Sequence, residues 1–487
     1  MGYILGIDQS TQGTKAILVN SNGRIIGRAD CSHQQMVNQY GWVSHDLEEI
    51  YQNVLCASKT VVEKTGIDKN EIKAIGISNQ RETTALWNKA GEPLNLAVVW
   101  QCARAGEIVK KLKAFKLDIK RKTGLTLSPY FSAAKMAWLL RNTESLSGKE
   151  LHDICLGTID SWLVYRLTGG TSFKTDYSNA SRTQLFHIQE LKWDEELCKI
   201  FEIPREALPE VCDSNSNFGS TDLEGFLKNK IPIHCVMGDS HAALFGQGCL
   251  KAGMTKTTYG TGSSIMMNTG RNCIVSRHGL VTSLAWGIDG SVSYVLEGNI
   301  NYTGAVLTWL KDDVKLISTP AETEKAAELA NPQDRTILVP AFSGLSAPYW
   351  KDDVKALIYG MTRTTGRNEL IKAALDSIAL QIGAALQSME EDCGSRIREL
   401  RVDGGPTKNK YLMQAQSDLS DVRITISETE ELSALGSAYL AGISLRMYQQ
   451  EELFGNAKKI CYEPKMQEEK RAEKWNDWEK AIKLVME

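Results

Sequence analysis

The sequence predicts an α/β protein of two large domains of related design, with a cleft between them. With 487 residues, the chain is too long for one hydrophobic core, so two domains are the default expectation. Each half also contains a strand, a turn segment rich in glycine and hydroxyl side chains, and a second strand, first around Asp8–Lys15 and again around Thr257–Gly262. This repetition indicates a duplicated architecture, which we divide into residues 1–245 and 246–487.

Composition restricts the classes of partner. Lys and Arg total 56 and Asp and Glu total 59, so the net charge is −3. Such a balance argues against a nucleic acid or an anionic membrane as the main partner. The 11 cysteines include no CxxC pair and are typical of reduced thiols in a cytoplasmic protein. The chain starts with a strand pattern and has no long apolar run, so we expect neither a signal peptide nor a membrane span.

The first polar segment lies between two short apolar strands. Tyr3–Ile7 and Ala16–Val19 are the strands, and Asp8–Lys15 is the predicted hairpin loop between them. An acid, backbone N–H groups and a lysine in one loop suit a metal-bound polyphosphate. Taken alone, the segment is more simply a hydrophilic hairpin turn.

A second polar segment follows the buried strand predicted at Ile72–Ile77. Ser78–Thr84 stands where an α/β sheet places ligand groups, at the carboxyl end of a strand. Arg81 and Glu82 together can donate to and accept from the hydroxyls of a sugar or polyol. A surface Arg–Glu pair is an equally good explanation of these two residues alone. Other predicted elements of this half are a helix from Asp46 toward Lys64, a strand at Ala97–Trp100, a helix at Ala134–Arg141 and a linker at Asn215–Lys230.

The central segment combines an acid with a glycine-rich turn. Asp239 follows the apolar run Ile231–Met237 and opens a helix of small residues. Its carboxylate can take a proton from an attacking hydroxyl, although an acid in this position is more often a helix N-cap. The turn at Thr257–Gly262 can offer N–H groups and a hydroxyl to phosphate oxygens.

The second half shows one strong helix signal and one further glycine motif. Apolar residues at three- and four-residue spacing predict a helix over Arg367–Cys393, and a helix is also predicted over Gly298–Trp309. Leu400–Pro406 is a strand leading into Gly404 and Gly405, where a nucleotide can approach the backbone closely, although many such pairs are only tight turns. A helix dense in alanine and glycine, and therefore suited to close packing, is predicted at Ser433–Leu445, and another in the charged tail after Glu463.

Over nearly its whole length the chain resembles the FGGY carbohydrate kinases. Tyr130–Asn142 fits the first signature of that family, and Gly360–Gln381 looks like the second. Six segments look like those of the glycerol-phosphorylating members: GISNQRETTALW, GTIDSW, TDYSNASRT, YGTGSS, FSGLSAPYW and RVDGGPTKN. The resemblance implies two actin-like (RNase H-like) domains with an interdomain active-site cleft, the first on the polyol side and the second on the ATP side.

The resemblance also implies an activity and a set of site residues. The activity is ATP-dependent phosphorylation of a terminal hydroxyl of a small polyol, with glycerol to sn-glycerol 3-phosphate as the first choice. Asp239 is the implied catalytic base, and Asp8 the residue implied to hold Mg²⁺. The implied polyol-binding residues are Arg81, Glu82, Trp100, Tyr130, Asp239 and Ser240. The residues implied to face ATP are Thr11, Gln12, Lys15, Thr261, Gly304, Thr308, Gly404, Gly405 and Asn409.

One departure from the family pattern leaves the substrate open. Glycerol kinases have Asp-Gln-Gln where this chain has Asp239-Ser240-His241, and the short serine leaves room. A longer polyol or ketose, such as erythritol, xylitol, xylulose or ribulose, is therefore the alternative substrate. A sugar-binding protein with an inactive kinase fold and an actin-like filament protein are alternatives from other classes. We expect a cytoplasmic homodimer or homotetramer that binds neither nucleic acid nor membrane.

Overall fold

The structure is a computed structural model that describes residues 2–146, 153–351, 353–427, 429, 431–455 and 459–487. In chain order the strands are β1 Tyr3–Ser10, β2 Gly13–Val19, β3 Ile25–Ser32, β4 Met36–Val37, β5 Val43–His45, β6 Ile72–Asn79, β7 Thr84–Asn88, β8 Ala97–Val98, β9 Ile154–Thr158, β10 Lys174–Asp176, β11 Phe186–His187, β12 Lys192–Trp193, β13 Glu210–Cys212, β14 Ser220–Thr221, β15 Ile231–Gly238, β16 Thr255–Tyr259, β17 Ser263–Gly270, β18 Val281–Ile288, β19 Ser291–Ile300, β20 Ile337–Val339, β21 Leu357–Tyr359, β22 Glu399–Asp403, β23 Arg423–Ser427 and β24 Lys459–Tyr462.

The α-helices are α1 Leu47–Thr65, α2 Gly106–Lys111, α3 Lys116–Thr123, α4 Ser132–Arg141, α5 Ile159–Leu167, α6 Tyr177–Ala180, α7 Glu195–Phe201, α8 Asp239–Gly246, α9 Gly304–Thr308, α10 Glu322–Leu329, α11 Arg367–Cys393, α12 Lys410–Ser420, α13 Leu432–Ser444, α14 Gln450–Gly455 and α15 Glu468–Met486. Among the described residues, none of these helices is both long and apolar enough to cross a bilayer.

Two large sheets organise the fold. The N-terminal sheet has the order β14-β15-β6-β1-β2-β3, and the C-terminal sheet has the order β18-β19-β17-β16-β22-β23-β24. In the first, β1 is antiparallel to β2 and parallel to β6, which is parallel to β15. In the second, β16 is antiparallel to β17 and parallel to β22, which is parallel to β23. The predicted duplication is therefore confirmed strand by strand.

Helices cover these sheets where the sequence supplies an apolar face. In α1, the Asp46 side chain accepts the N–H groups of Glu48 and Glu49 as an N-cap, and Gly66 ends the helix in the left-handed region at φ 63°. Helix α11 has the bounds that its periodicity predicts, and most of its residues are buried in the core on the C-terminal sheet.

Helix α13 joins the two halves. It follows the C-terminal sheet in the chain, yet Ala434 and Ala438 pack in one apolar cluster with Ile4 and Ala74 of the N-terminal sheet. The approach is close, because a Cβ added at Gly76 would lie 2.3 Å from the Ser437 carbonyl oxygen. The alanine- and glycine-rich composition thus allows tight packing, as predicted.

Three predicted boundaries are wrong. The segment Asp8–Lys15 is mostly strand, because β1 and β2 stay in register until the turn at Thr11 and Gln12. Gly298–Ile300 belongs to β19, and the helix begins only at Gly304. Asn215–Lys230 is not a linker between domains, since it contains β14 and leads into β15 of the same sheet. In each case, pairing with another strand overrides the local preference of polar and glycine residues.

Candidate active site

Polar residues gather at one edge of the N-terminal sheet. Asp8 lies near the end of β1, Arg81 follows β6, and Asp239 opens α8 directly after β15. Because these three strands are parallel, their carboxyl ends meet at the same edge. Ser78 at the end of β6 donates a hydrogen bond of 2.7 Å to the Asp8 carboxylate. The structure therefore brings together the acids that the sequence predicts for the metal and for catalysis.

Asp239 lies beside Arg81 and is accessible. The Asp239 Oδ1 atom is 3.2 Å from the Arg81 Nε atom, and the Asp239 side chain is 33% exposed. The same oxygen accepts the backbone N–H of Ser240 at 2.6 Å. A carboxylate held at a helix start, in contact with a buried arginine and open to solvent on one side, can act as a general base.

Behind this pair runs a buried ion-pair chain, which we define as Asp239–Arg81–Glu297–Arg182–Glu82. Arg81 binds the Glu297 carboxylate with two parallel hydrogen bonds of 2.9 and 2.8 Å. Arg182 contacts Glu297 at 2.7 Å and Glu82 at 2.6 Å. Burial alone would raise the pKa of Glu297, but the charges of Arg182 and Arg81 outweigh it and hold the pKa well below its usual range.

Two aromatic rings form one wall of the site, which is the wall predicted to face the carbon atoms of a polyol. The rings of Trp100 and Tyr130 meet edge to face with centroids 5.5 Å apart, and the indole N–H of Trp100 donates to the Thr11 hydroxyl at 2.9 Å. The Tyr130 carbonyl accepts a hydrogen bond from the ammonium of Lys135, which also donates to the Phe131 carbonyl at 3.2 Å. Burial lowers the pKa of Lys135 to about 7.

The β1–β2 hairpin carries the predicted phosphate-facing residues. Asp8 and Lys15 are direct cross-strand partners, and Gln12 is exposed at the turn. Lys15 also forms an ion pair of 2.9 Å with Glu431. Burial raises the pKa of Asp8 to about 7, the bond from Ser78 opposes this rise, and the charge of Asp239 adds to it.

The second hairpin turn docks on the start of α9. The N–H of Gly304 donates to the Gly260 carbonyl at 2.9 Å, and the N–H of Ala305 donates to the Thr261 carbonyl at 3.0 Å. A Cβ added at Gly304 would lie 2.7 Å from the Gly260 oxygen, so this close approach requires glycine. Thr308 is exposed one turn further along and donates to the Gly304 carbonyl at 3.3 Å.

The Gly404–Gly405 pair borders the same turn. Gly404 has φ 102°, and a Cβ there would lie 2.0 Å from the Tyr259 carbonyl oxygen, whereas a Cβ at Gly405 would meet nothing within 4 Å. Gly404 thus brings β22 against β16, and Gly405 faces open space.

Asn409 is already engaged by the protein. Its side-chain oxygen accepts the Leu412 N–H at 2.9 Å as the N-cap of α12, and its amide group donates to Thr323 at 2.9 Å. The structure therefore gives its side chain a capping role that the sequence analysis did not predict.

The predicted residues thus form two clusters, one at each sheet. The first contains Asp8, Thr11, Gln12, Lys15, Arg81, Glu82, Trp100, Tyr130, Asp239 and Ser240, and the second contains Thr261, Gly304, Thr308, Gly404, Gly405 and Asn409. The two halves of the protein meet where Glu297 of β19 contacts Arg81. Among the described residues, no group of three or more His, Cys, Asp or Glu side chains forms a metal site.

Comparison with known families decides what this arrangement is. Residues 3–246 match the N-terminal domain of the FGGY family of carbohydrate kinases, and residues 255–445 match its C-terminal domain. The chain belongs to the FGGY family of carbohydrate kinases. Membership implies a kinase that uses ATP as a substrate.

Relatives of this FGGY kinase match it over almost the full length. It is 47% identical to glycerol kinase 1 of Thermotoga maritima and 42% identical to the glycerol kinase of Bacillus subtilis, each match covering 99% of both chains. The solved structure of Plasmodium falciparum glycerol kinase with ADP superimposes with a TM-score of 0.93 at 36% identity, covering 100% of this chain and 99% of that one. The predicted two-domain fold class is confirmed.

A solved xylulose kinase from Lactobacillus acidophilus shares the fold alone. Its TM-score is 0.89 at 22% identity, and the match covers 99% of this chain and 98% of that one.

Three buried charged residues of this FGGY kinase are not predicted from the sequence. Glu297, Arg182 and Lys135 are each at most 1% exposed, and all three contact or support predicted polyol residues. A signal existed for Glu297, which interrupts the apolar pattern of its strand after Val295 and Leu296. A charge within such a run needs a buried partner.

Proposed function

We propose that the protein transfers the terminal phosphoryl group of ATP to a terminal hydroxyl of glycerol, giving sn-glycerol 3-phosphate. The observation that carries this proposal is the placement of Asp239, an accessible carboxylate beside a buried arginine at the edge of the N-terminal sheet. The full-length relatives named glycerol kinases, at 42–47% identity, and the solved relative with ADP support the substrate pair.

In this proposal Asp239 accepts the proton of the attacking hydroxyl while the substrate is held in line with the phosphoryl group. The other hydroxyls of the polyol bind Arg81 and Glu82, whose side chains are held by the ion-pair chain. The rings of Trp100 and Tyr130 exclude water from the carbon side. Binding two hydroxyls and one apolar face gives the selectivity for a small polyol.

The phosphates lie between the two hairpins. Lys15 with Thr11 and Gln12 faces the transferred phosphoryl group from the N-terminal sheet, and its positive charge stabilises the developing negative charge. The nucleotide lies against the turn at Thr261 and the open backbone at Gly405, where the absence of a side chain allows close approach.

The donor set fits Mg²⁺. Asp8 and Asp239 act on each other electrostatically, and two carboxylates with substrate phosphates are the ligands that this ion takes in kinases. Asp8 would hold the ion with Asp239 nearby, and the bound ion would neutralise the phosphate oxygens.

The proposal also includes the domain division at residue 245, the homodimer or homotetramer and the cytoplasmic location. The bounds of the two family domains support the division at residue 245. The 11 free cysteines support the cytoplasmic location.

The test of catalysis is the purified Asp239→Asn variant. We expect kcat to fall by about 10²- to 10⁴-fold, because the amide cannot take the proton. Asp46→Asn is the matched control, since Asp46 also precedes a helix but serves as its N-cap. A D239N protein with near-full turnover would refute the role of Asp239.

Ser240 motivates a second candidate function, a kinase for a longer polyol or ketose. Its side chain is shorter than the glutamine of the family pattern, and it lies in the first turn of α8 beside the base. Measuring kcat/KM for glycerol, erythritol, xylitol, xylulose and ribulose with a coupled assay of ADP release separates the two candidates. The longer-substrate function fails if glycerol has by far the highest kcat/KM.

A further inference from the structure

Glu297 lies at the centre of the buried ion-pair chain and comes from the opposite half of the protein. Its side chain is 0% exposed on β19 of the C-terminal sheet. Two arginines of the N-terminal half bind it, and Ser264 donates a further hydrogen bond of 3.2 Å to it. The carboxylate therefore has charged partners on both sides and a hydroxyl from its own sheet.

The make-up of the ion-pair chain argues against a purely structural purpose. Burying charges removes them from water, and well-packed apolar residues stabilise a core as well or better. In the ion-pair chain, three carboxylates instead alternate with two guanidinium groups, and the residues at both of its ends are predicted to contact substrate. The buried middle thus connects Asp239 at one end with Glu82 at the other.

Each contact of Glu297 restricts a residue of the polyol site. The two parallel bonds fix the plane of the Arg81 guanidinium, which leaves its Nε atom directed at Asp239. The contact with Arg182 fixes the second guanidinium, whose Nε atom donates to Glu82. Glu82 has a left-handed backbone, with φ 60°, and its carbonyl accepts a bond from Ser132 at 3.1 Å, so its main chain is also held.

We propose that Glu297 is a positioning residue of the polyol site, which orients Arg81 directly and Glu82 through Arg182. This inference rests on the proposed function, because it names how that same site is shaped. Since β19 belongs to the C-terminal sheet, the polyol site is complete only when both halves contribute.

The loss of the Glu297 charge has a specific consequence. Arg81 then keeps Asp239 as its anionic contact, and its freed N–H groups turn toward that carboxylate. The base becomes occupied and the polyol loses a fixed donor. We therefore expect polyol binding to weaken and turnover to fall, while ATP binding, which involves the other cluster, stays nearly unchanged.

The experiment compares Glu297→Gln with Glu399→Gln in the full-length protein. Glu399 is a matched control, because it lies on the same sheet, is 3.3 Å from Arg401 and accepts a bond from Thr425. We expect E297Q to raise KM for glycerol by about 10- to 100-fold, as for the loss of a charged hydrogen bond, with KM for ATP changed by less than about threefold. We expect E399Q to leave both values near those of the wild type.

A merely structural role predicts a different pattern. An equal rise of both KM values, or a lower melting temperature with unchanged KM for glycerol, overturns the inference. If E297Q does not fold, Arg182→Lys keeps the positive charge but loses the fork that spans Glu297 and Glu82, and the same selective rise of KM for glycerol is expected. A wild type that phosphorylates no polyol overturns the proposed function and the inference with it, whereas an active wild type with unaffected variants overturns the inference alone.

Discussion

The β1–β2 and β16–β17 hairpins occupy equivalent places in the two sheets. Each place has one hydroxyl and one carboxylate side chain on neighbouring strands, but the strand that carries the acid differs between the two. In the N-terminal sheet, Asp8 on the hairpin strand is the direct neighbour of Ser78 on the parallel strand. In the C-terminal sheet, Thr258 on the hairpin strand is the direct neighbour of Asp403 on the parallel strand. A hydroxyl donates to a carboxylate in both places, at 2.7 Å and 2.8 Å, but the donor and the acceptor have changed strands.

The surroundings of the two carboxylates differ more than their positions. Asp403 accepts a second bond of 2.8 Å from Gln247. Burial raises the pKa of Asp403, and the nearby charge of Lys256 opposes the rise. Burial also raises the pKa of Asp8, and the charge of Lys15 opposes the rise, but here the charge of the Asp239 carboxylate adds to it. The two sheets thus place an acid at equivalent positions, whereas the neighbouring charges and hydrogen-bond donors differ between the two halves.

The largest expected difference between the two hairpins comes from replacing each of the two acids in a separate variant. We expect Asp8→Asn to lower kcat by about 10²- to 10³-fold, because in the proposed function Asp8 would hold Mg²⁺ and a neutral amide is a weaker ligand for that ion. We expect Asp403→Asn to lower the melting temperature by a few degrees, with a small change in kcat, because it weakens bonds within the fold. Steady-state kinetics and thermal melts of both variants give the test. Equal losses of kcat would mean that the two hairpins do not differ in function.

The neighbouring glycines give the next largest effect within the C-terminal half. We expect Gly404→Ala to destabilise the protein by about 1–3 kcal/mol or more, because the backbone is left-handed and the new methyl group meets the Tyr259 carbonyl. Gly405→Ala has open space and serves as the control for stability. If Gly405 faces the nucleotide, its alanine variant raises KM for ATP without lowering the melting temperature. Identical melts for the two variants would contradict the close approach of β22 to β16.

How much the sequence could predict differs between these regions. Helix α11 and the position of Asp239 were predicted correctly, because a long apolar period and an acid after an apolar run are local signals. The extent of β1 and β2 was not, because their register depends on pairing that polar residues do not signal. Helix α13 was predicted as a tightly packing helix, but nothing in its composition indicates that it packs on the N-terminal sheet.

The site shows the same limit. Each predicted residue lies in a recognisable local motif, whereas Glu297 and Arg81 are 216 positions apart and meet only in the fold. The hydrogen bond from the Asn409 amide to the Thr323 hydroxyl likewise joins residues 86 positions apart. Partners that are distant in the chain are the part of the site that a single sequence does not reveal.

The smallest expected effect separates the buried lysines of the two halves. Lys256 of the C-terminal half has Asp403 nearby, whereas Lys135 of the N-terminal half donates to carbonyl groups. Burial lowers the pKa of Lys135 from 10.5 to about 7, so between these values the unfolded chain binds the extra proton and the folded state does not. Stability contributed at this site therefore rises with pH from 7 toward 10.5 and is lost as the pH falls.

The variant Lys135→Met removes this titration. We expect the melting temperature of the wild type minus that of K135M to increase by roughly 1–3 °C per pH unit between pH 7.5 and about 9.5. Lys122→Met is the control, because Lys122 pairs with Asp194 and Glu196, which raise its pKa despite partial burial, so it stays charged in both states over this range. A difference that does not change with pH for K135M would show that Lys135 keeps its proton in the fold. The charge of Glu82, which opposes the effect of burial on Lys135 as the charge of Asp403 does on Lys256, would then be strong enough to hold it.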